Sequence, residues 1–389
     1  MGRARMGLVA AFAGLGGTAA TIPAMLPTLE SRLDSSVLSA VPLLFAGLLV
    51  GVLLSAPLLV RLDPRTVVIA GAALQAGSLL WLATAPSLAG VLVIAACAGV
   101  GFGLTEAAGS VAAKRWATDS ASRSLTMLTA TVAVVAALSP IAVAFLPGGA
   151  WLVPVLVAVI HLVACGALVG TAQANPSSAA NRSKVTGWTP SARRVLVVAG
   201  IALALYVGVE TVFSGWSALI PAAVLDIDPQ AAALGTSGFW LCMAAGRLIA
   251  SVLLRAGLQP AALLLGCMAV AATGLLLASV LAPSALMLIG LGVAVLAMAP
   301  VYSLVLGEAL DRLSPHAAAR ATGPLVACGA VGGAMVPVVL VSAGFEPDSV
   351  ATFLVAATIC IVIAAGALAT LAAASASPLP SSTHQGISP

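Results

Sequence analysis

The chain has 389 residues, of which 61% are hydrophobic and only 7% charged, with a formal net charge of +4. Its mean hydropathy of +1.16 excludes a soluble globular protein, because so few polar side chains could not cover a folded domain. The length leaves room for about a dozen spans of roughly 20 residues, and the short alternating segments of a membrane β-barrel are absent. The composition predicts an all-α membrane protein.

The first apolar segment follows Arg3 and Arg5, as in a secretory signal peptide. It continues to about residue 29, which is too long for the apolar core of a signal peptide. It also has a counterpart in the second half of the chain. We therefore interpret it as the first membrane span.

Apolar segments long enough to cross a bilayer recur along the chain and predict twelve transmembrane helices. They cover residues 6–29, 37–60, 66–85, 88–112, 123–146, 150–171, 195–222, 231–254, 260–281, 285–309, 317–341 and 349–374.

The charges between these segments divide between the two ends of the predicted bundle. One end, called the basic end below, carries Arg3, Arg5, Arg61, Arg65, Lys114, Arg115, Arg123, Arg182, Lys184, Arg193, Arg194, Arg255, Arg312 and Arg320. The other, the acidic end, carries Glu30, Asp34, Asp226, Asp228, Glu346 and Asp348, with Arg32 as its one basic residue. By the positive-inside rule, both termini are expected on the cytoplasmic side of the cell membrane.

The two halves of the chain repeat one another. Pro27, Asp34, Phe45 and Arg61 recur 194 positions later, and Arg115, Arg123 and Pro140 recur 197 positions later. We therefore predict two six-helix halves, residues 1–171 and 193–374, as in the major facilitator fold. A polar cytoplasmic linker is expected at 172–192, and a disordered tail at 375–389.

Four charged residues lie well inside predicted spans: Glu106, Glu210, Arg247 and Glu308. The other charges lie at the ends of spans or between them. A charged group at membrane depth is costly, so it usually faces a protein interior or a wet cavity and marks an ion or substrate pathway. These four residues are the first candidates for a functional site.

Glu106 belongs to the glycine-rich fourth span, GVGFGLTEAAGSVAAKR. Lys114 follows eight residues later, which places Glu106 about 12 Å inside the basic end. Burial favours the protonated form of a carboxyl group, so a buried acid can bind and release a proton near neutral pH. Proton coupling is therefore the favoured role of Glu106. The alternative is a structural acid paired with a basic or hydroxyl neighbour.

Glu210 lies near the middle of the seventh span, in YVGVETVFSGW. The glycines of this segment weaken the helix and can open a polar notch, and aromatic faces bind sugar rings or cations. We predict that Glu210, Tyr206 and Trp216 contact a substrate, with Glu210 and Glu106 sharing proton coupling and substrate binding. The alternative is an acid bonded to a hydroxyl group or to a neighbouring helix.

Arg247 and Glu308 lie toward the basic ends of spans eight and ten. An ion pair between these two residues would satisfy both charges. The favoured role for both is structural or gating rather than substrate contact.

The sequence predicts no metal site, cofactor or enzyme activity. The six cysteines, all in apolar segments, show no CxxC spacing, and no phosphate-binding loop or nucleophile elbow is present. No basic run suggests nucleic acid. His161 lies in span six, which is usually peripheral in this architecture, and is not expected to bind a ligand.

Several segments carry a family resemblance: GVGFGLTEAA in span four, YVGVETVFSGWSAL and FWLCMAAGRLIASVLLR in spans seven and eight, and APVYSLVLGEALDR in span ten. They resemble the fucose-permease-like branch of the major facilitator superfamily. The resemblance implies a secondary transporter with alternating access in which the acid of span four, here Glu106, is functional. The sugar–proton symporters of that branch also use an acid in span one. This chain has none there, and Gly16 occupies the position equivalent to Glu210.

The superfamily signature between spans two and three is partly kept in APLLVRLDPR. Arg61 and Arg65 are retained and are expected to have structural or gating roles. Val60 stands where an acid is usual, and Asp63 where glycine is usual. Span five also lacks the glycine–proline signature of drug–proton antiporters.

We predict a monomeric secondary transporter that moves a small polar solute, such as a sugar or related metabolite, with protons across the lipid bilayer. Spans 1, 4, 7 and 10 are expected to line a midplane cavity. Two alternatives remain open. One is proton-driven efflux of a drug or secondary metabolite, and the other is a membrane solute sensor without turnover.

Overall fold

The computed structural model describes residues 2–84, 87–116, 121–169, 190–313 and 315–375. In the first half these residues form α1 (Gly2–Leu33), α2 (Ala40–Arg61), α3 (Pro64–Ala83), α4 (Leu88–Trp116), α5 (Ala121–Phe145) and α6 (Gly149–Leu168). In the second half they form α7 (Pro190–Gly215), α8 (Leu219–Leu225), α9 (Leu234–Arg255), α10 (Pro260–Leu281), α11 (Met287–Met298), α12 (Val301–Asp311), α13 (Pro315–Ser342) and α14 (Val350–Ser375). A 3-10 turn, Ala231–Ala233, precedes α9.

These helices make twelve spans because two spans are broken. Span seven consists of α7 and α8, interrupted at 216–218, and span ten consists of α11 and α12, interrupted at 299–300. Within the described residues, eleven spans are long and apolar enough to cross a membrane, and α5 adds the apolar stretch Ala130–Phe145. The predicted fold class, an all-α membrane protein of twelve helices in two six-helix halves, is confirmed.

The predicted span boundaries hold to within a few residues. The segment 172–192 was predicted as a flexible linker, and α7 begins at Pro190 near its end, since proline is favoured in the first turn of a helix. The rest of that linker lies outside the described residues. The expected disordered tail also lies outside them, apart from Ser375, which ends α14.

The two halves are joined at the acidic end, where α2 contacts α13 and α5 contacts α9. Gln230 Nε2 donates hydrogen bonds to the carbonyl oxygens of Val143 at 2.8 Å and Leu146 at 3.2 Å. Ser237 Oγ donates to the carbonyl oxygen of Ala137 at 2.8 Å. Gln230 thereby binds carbonyl groups at the end of α5 that have no partner within the helix.

Candidate functional site

Glu210 on α7 and Arg247 on α9 form an ion pair inside the second half. Glu210 Oε1 and Arg247 Nη2 are 3.7 Å apart, which is too far for a hydrogen bond, so the contact is electrostatic. Although both residues lie within spans, their side chains remain 20% and 47% exposed. The pair therefore borders on open space rather than on packed core.

A second contact fixes Arg247 at the break in span ten. Its Nε donates a hydrogen bond of 3.2 Å to the carbonyl oxygen of Ala299. The next residue, Pro300, has no N–H, so the carbonyl oxygen of Leu296, four residues earlier, loses its helical donor and the helix is interrupted at this level. Gly246 permits the close approach, because a Cβ there would collide with the carbonyl oxygen of Leu296. The break and the neighbouring glycine together hold the guanidinium group in place.

The ion pair expected between Arg247 and Glu308 does not form. Glu308 Oε2 instead accepts a hydrogen bond of 3.0 Å from Arg312 Nη2, one turn further along the chain. Glu308 comes nine residues after Ala299, where Arg247 is anchored, and so lies about 13 Å away along the span. The difference in depth separates the two charges.

Both tyrosines of the chain lie at this site. Tyr206 precedes Glu210 by one turn of α7, and its buried hydroxyl is within electrostatic reach of Glu210 and Arg247. The hydroxyl has no hydrogen-bond partner of acceptable geometry among the described residues. Tyr302, the second residue of α12, is within electrostatic reach of both Glu106 and Glu210.

Tyr302 was missed by the sequence reasoning. Its signals were its rarity, as one of two tyrosines in 389 residues, and its position two residues after Pro300 in an apolar run. Neither signal predicts that the side chain lies near acids of two different helices, because this depends on how α4, α7 and α12 are rotated about their axes.

The rotation of α4, which carries Glu106, is fixed first by its packing on α2. A Cβ at Gly99 would collide with the carbonyl oxygen of Leu44, and one at Gly103 with that of Leu48. Glycine is therefore required at both positions for the two backbones to touch.

The opposite side of α4 is fixed by α3. Gln75 on α3 is buried, and its Nε2 donates a hydrogen bond of 3.1 Å to Thr105 Oγ1. Thr105 in turn donates to the carbonyl oxygen of Gly101 at 2.8 Å. α3 thus covers the face of α4 that carries Thr105, whereas Glu106 lies on the side of Gly99 and Gly103, seven and three residues before it.

Glu106 faces the space between the two halves. Its side chain is exposed although it lies within a span, and it has no ion-pair partner among the described residues. Tyr302 of the second half is within electrostatic reach of Glu106, so this side of α4 is directed toward the second half. The structure thus brings together five residues from both halves, called the midplane cluster below: Glu106, Tyr206, Glu210, Arg247 and Tyr302.

The sequence profile described as Major Facilitator Superfamily matches residues 6–337 of this chain. The chain belongs to the major facilitator superfamily. Proteins of this family are membrane transporters rather than enzymes. No curated protein sequence matches the chain.

Solved transporters of this superfamily share the fold. The nucleoside transporter NupG is 10% identical with a TM-score of 0.72, and the match covers 95% of this chain and 99% of that one. A bacterial homologue of the human lysosomal transporter Spinster, in an inward-facing and occupied conformation, is 15% identical with a TM-score of 0.73, covering 95% and 96%. The peptide transporter POT in complex with sulfate is 16% identical with a TM-score of 0.75, covering 95% and 94%. At these identities the likeness shows the fold alone.

The packing of α1 explains why the first span of this superfamily member carries no acid at the position equivalent to Glu210. Gly16 lies against α5, and a Cβ there would collide with the carbonyl oxygen of Val132. No larger side chain fits at this contact without moving α5 away from α1.

Trp216, predicted to contact substrate, is completely buried at the break between α7 and α8. Its neighbour Gly215 lies against Val41 of the first half. Trp216 therefore lies where the halves meet, toward the acidic end from Glu210. A contact between its ring and a substrate stays a prediction.

Arg61 and Arg65 lie at the basic end, away from the midplane cluster. Arg61 ends α2 with an exposed side chain. Asp63 caps α3 by accepting a hydrogen bond of 2.9 Å from the Arg65 amide, and Arg65 Nε lies 3.9 Å from the same carboxylate. A gating role for either arginine stays a prediction.

Proposed function

We propose that this protein is a secondary active transporter that moves a small polar solute together with protons. The observation that carries the proposal is the ion pair of Glu210 and Arg247 inside the membrane spans, which is 3.7 Å long and still partly exposed. Tyr302 is within electrostatic reach of Glu210 and of Glu106 from the first half. An alternating-access transporter of this architecture binds its substrate near the midplane, at the junction of its repeats. The midplane cluster provides ionisable groups at that junction.

Glu106 is the proton carrier in this proposal. It is the acid of the cluster without an ion-pair partner among the described residues, whereas the charge of Glu210 is compensated by Arg247. With both acids ionised, the two glutamates and one arginine sum to a charge of −1. Protonation of Glu106 brings this sum to zero, which changes the electrostatic cost of closing the space around it.

The ion pair and the two tyrosines form the solute site. At 3.7 Å the pair is loose, so a polar solute can insert between Glu210 and Arg247, donating to the carboxylate and accepting from the guanidinium. The hydroxyl of Tyr206, one helical turn before Glu210, adds a third polar group. Bound solute shifts the balance between two conformations only by its differential affinity for them.

The basic end lies in the cytoplasm, by the positive-inside rule, so that both termini are cytoplasmic and the cell membrane holds the protein. Contacts at the acidic end then close the outer side of the site, as expected of an inward-facing state. The resemblance to the fucose-permease-like branch favours a sugar or related metabolite, taken up by symport. Each monomer carries the whole midplane cluster and is the transport unit.

The test uses proteoliposomes that contain a trapped pH-sensitive dye, to which sugars, amino acids and amines are added in turn. An active solute acidifies the lumen if it enters with protons and alkalinises it if it enters in exchange for them, which separates symport from efflux by antiport. We expect Glu106→Gln to abolish the pH response while the thermal unfolding midpoint is retained. Glu346→Gln, a matched change at an exposed loop residue, should respond like the parent protein.

An undiminished pH response in Glu106→Gln would contradict the assignment of the proton carrier. A solute that raises the unfolding midpoint but produces neither a pH change nor its own uptake would favour the sensor alternative.

A further inference from the structure

The second half contains an apolar cleft that the proposed transport mechanism does not use. It lies between α7, α10, α12 and α14 toward the basic end and has a volume of about 190 Å³. Its lining is apolar except for Glu308 and Arg312. Ile201 on α7 and Val362 on α14 are 56% and 51% exposed, so the cleft opens through the seam between these two helices.

The equivalent seam in the first half is closed. There α1 packs directly on α6 through glycines, and a Cβ at Gly7 would reach within 2.7 Å of the Leu168 side chain. Leu168 itself is completely buried in the core of that half. The position 194 residues after Gly7 is Ile201, a β-branched residue that keeps α7 from approaching α14 in the same way. The cleft therefore follows from the sequence of the second half.

The end of the cleft nearest the membrane surface is positively charged. Arg312 forms part of the lining and donates a hydrogen bond to Glu308. Arg194 is exposed and comes one turn before Val198, a lining residue, on the same face of α7. Two guanidinium groups against one carboxylate leave an excess positive charge at this rim.

We propose that this cleft binds an acyl chain of an anionic phospholipid, whose head group contacts Arg194 and Arg312. The apolar walls remove the chain from the bilayer and keep it against the protein. The arginines attract the phosphate, because basic groups between helices at a membrane surface bind anionic head groups. Charge complementarity selects this occupant over a neutral lipid, and the opening in the α7–α14 seam gives it access from the bilayer.

The test compares phosphatidylglycerol with phosphatidylcholine of identical acyl chains, each added to the purified full chain in a non-ionic detergent. We expect phosphatidylglycerol to raise the thermal unfolding midpoint more than phosphatidylcholine, and native mass spectrometry to show one retained phosphatidylglycerol. Free palmitate serves as a third probe and should stabilise less, because it lacks the phosphate and glycerol groups.

Gly366→Leu tests the cleft itself. Gly366 lines the cleft and no atom lies within 4 Å of a Cβ at this position, so a leucine side chain can start here and occupy part of the cleft. We expect this variant to lose the retained lipid and the extra stabilisation. Gly266→Leu is the matched control, since Gly266 lies outside the cleft on α10 and also has no atom within 4 Å of a Cβ.

Arg194→Gln tests the head-group contact and should bring the effect of phosphatidylglycerol down to that of phosphatidylcholine. Arg255→Gln is its control, because Arg255 is also at the basic end but bonds to Ser251 of its own helix.

If Gly366→Leu retained the lipid and the extra stabilisation as the unsubstituted protein does, the proposed site would be overturned. Equal stabilisation by both phospholipids, or by palmitate, would overturn the proposed ligand.

Discussion

Arg247 connects α7 to the break in span ten. It donates to the carbonyl oxygen of Ala299, lies 3.7 Å from Glu210 and keeps 47% of its side chain exposed. A long, half-exposed ion pair contributes little to stability, on the order of 0–1 kcal/mol. In the proposed mechanism its importance is instead that both charges remain available to a solute.

A double-mutant cycle on Arg247→Met and Glu210→Gln tests this view. We expect a coupling free energy of about 0.2–1 kcal/mol from chemical unfolding, because solvent screens the pair. Each single variant should nevertheless lose the solute-dependent pH response. A coupling of several kcal/mol would instead indicate a locked structural pair, which a solute could not open.

The sequence identified the embedded charges but not their partners. Glu106, Glu210 and Arg247 were recognisable because each interrupts an apolar run. Arg247 was assigned to Glu308, although the structure pairs it with Glu210, because spacing along one helix says nothing about the depth and rotation of its neighbours. The same limit hid Tyr302, whose role depends on where α4 and α7 face.

At the scale of helices, the sequence predicted all twelve spans but neither of the two breaks. Hydropathy averages over a window, and the apolar run of span ten continues through Pro300 without a drop. Broken spans matter for function because their unpaired backbone groups can bind side chains or solutes at membrane depth. In this protein the break between α11 and α12 binds Arg247.

α13 packs closely on α7, the helix that carries Glu210 and Tyr206. This close packing depends on Gly332. A Cβ at Gly332 would collide with the carbonyl oxygen of Ala204, and backbone cannot rotate away as a side chain can. We expect Gly332→Ala to lower the unfolding free energy by about 1–3 kcal/mol. Gly323→Ala, in the same helix with no atom within 4 Å of a Cβ, should leave it unchanged or raise it slightly. Equal effects in a thermal unfolding assay would contradict this packing argument.

For the whole molecule, polar side chains contribute to the contacts that hold the halves together at the acidic end. Gln230 reaches from the second half to three carbonyl groups at the end of α5, and Ser237 reaches to Ala137. Apolar contacts accompany them: Val41 of the first half lies against Gly215, and buried side chains of both halves form one core cluster. In the proposed alternating-access cycle both sets of contacts have to separate, because this interface would open once in each cycle.

Cross-linking across this interface should therefore stop transport. In a chain whose six cysteines are replaced by alanine, Gln230→Cys and Leu146→Cys place one thiol on each half. The glutamine side chain spans the gap to the carbonyl of Leu146, so the thiols need a short, cleavable bifunctional reagent rather than a direct disulfide. We expect the cross-linked protein to lose the solute-dependent pH response and to regain it when the reagent is cleaved, while each single variant treated with the reagent stays active. Full activity of the cross-linked protein would mean that these contacts persist throughout the cycle, and the halves would then have to move about some other point.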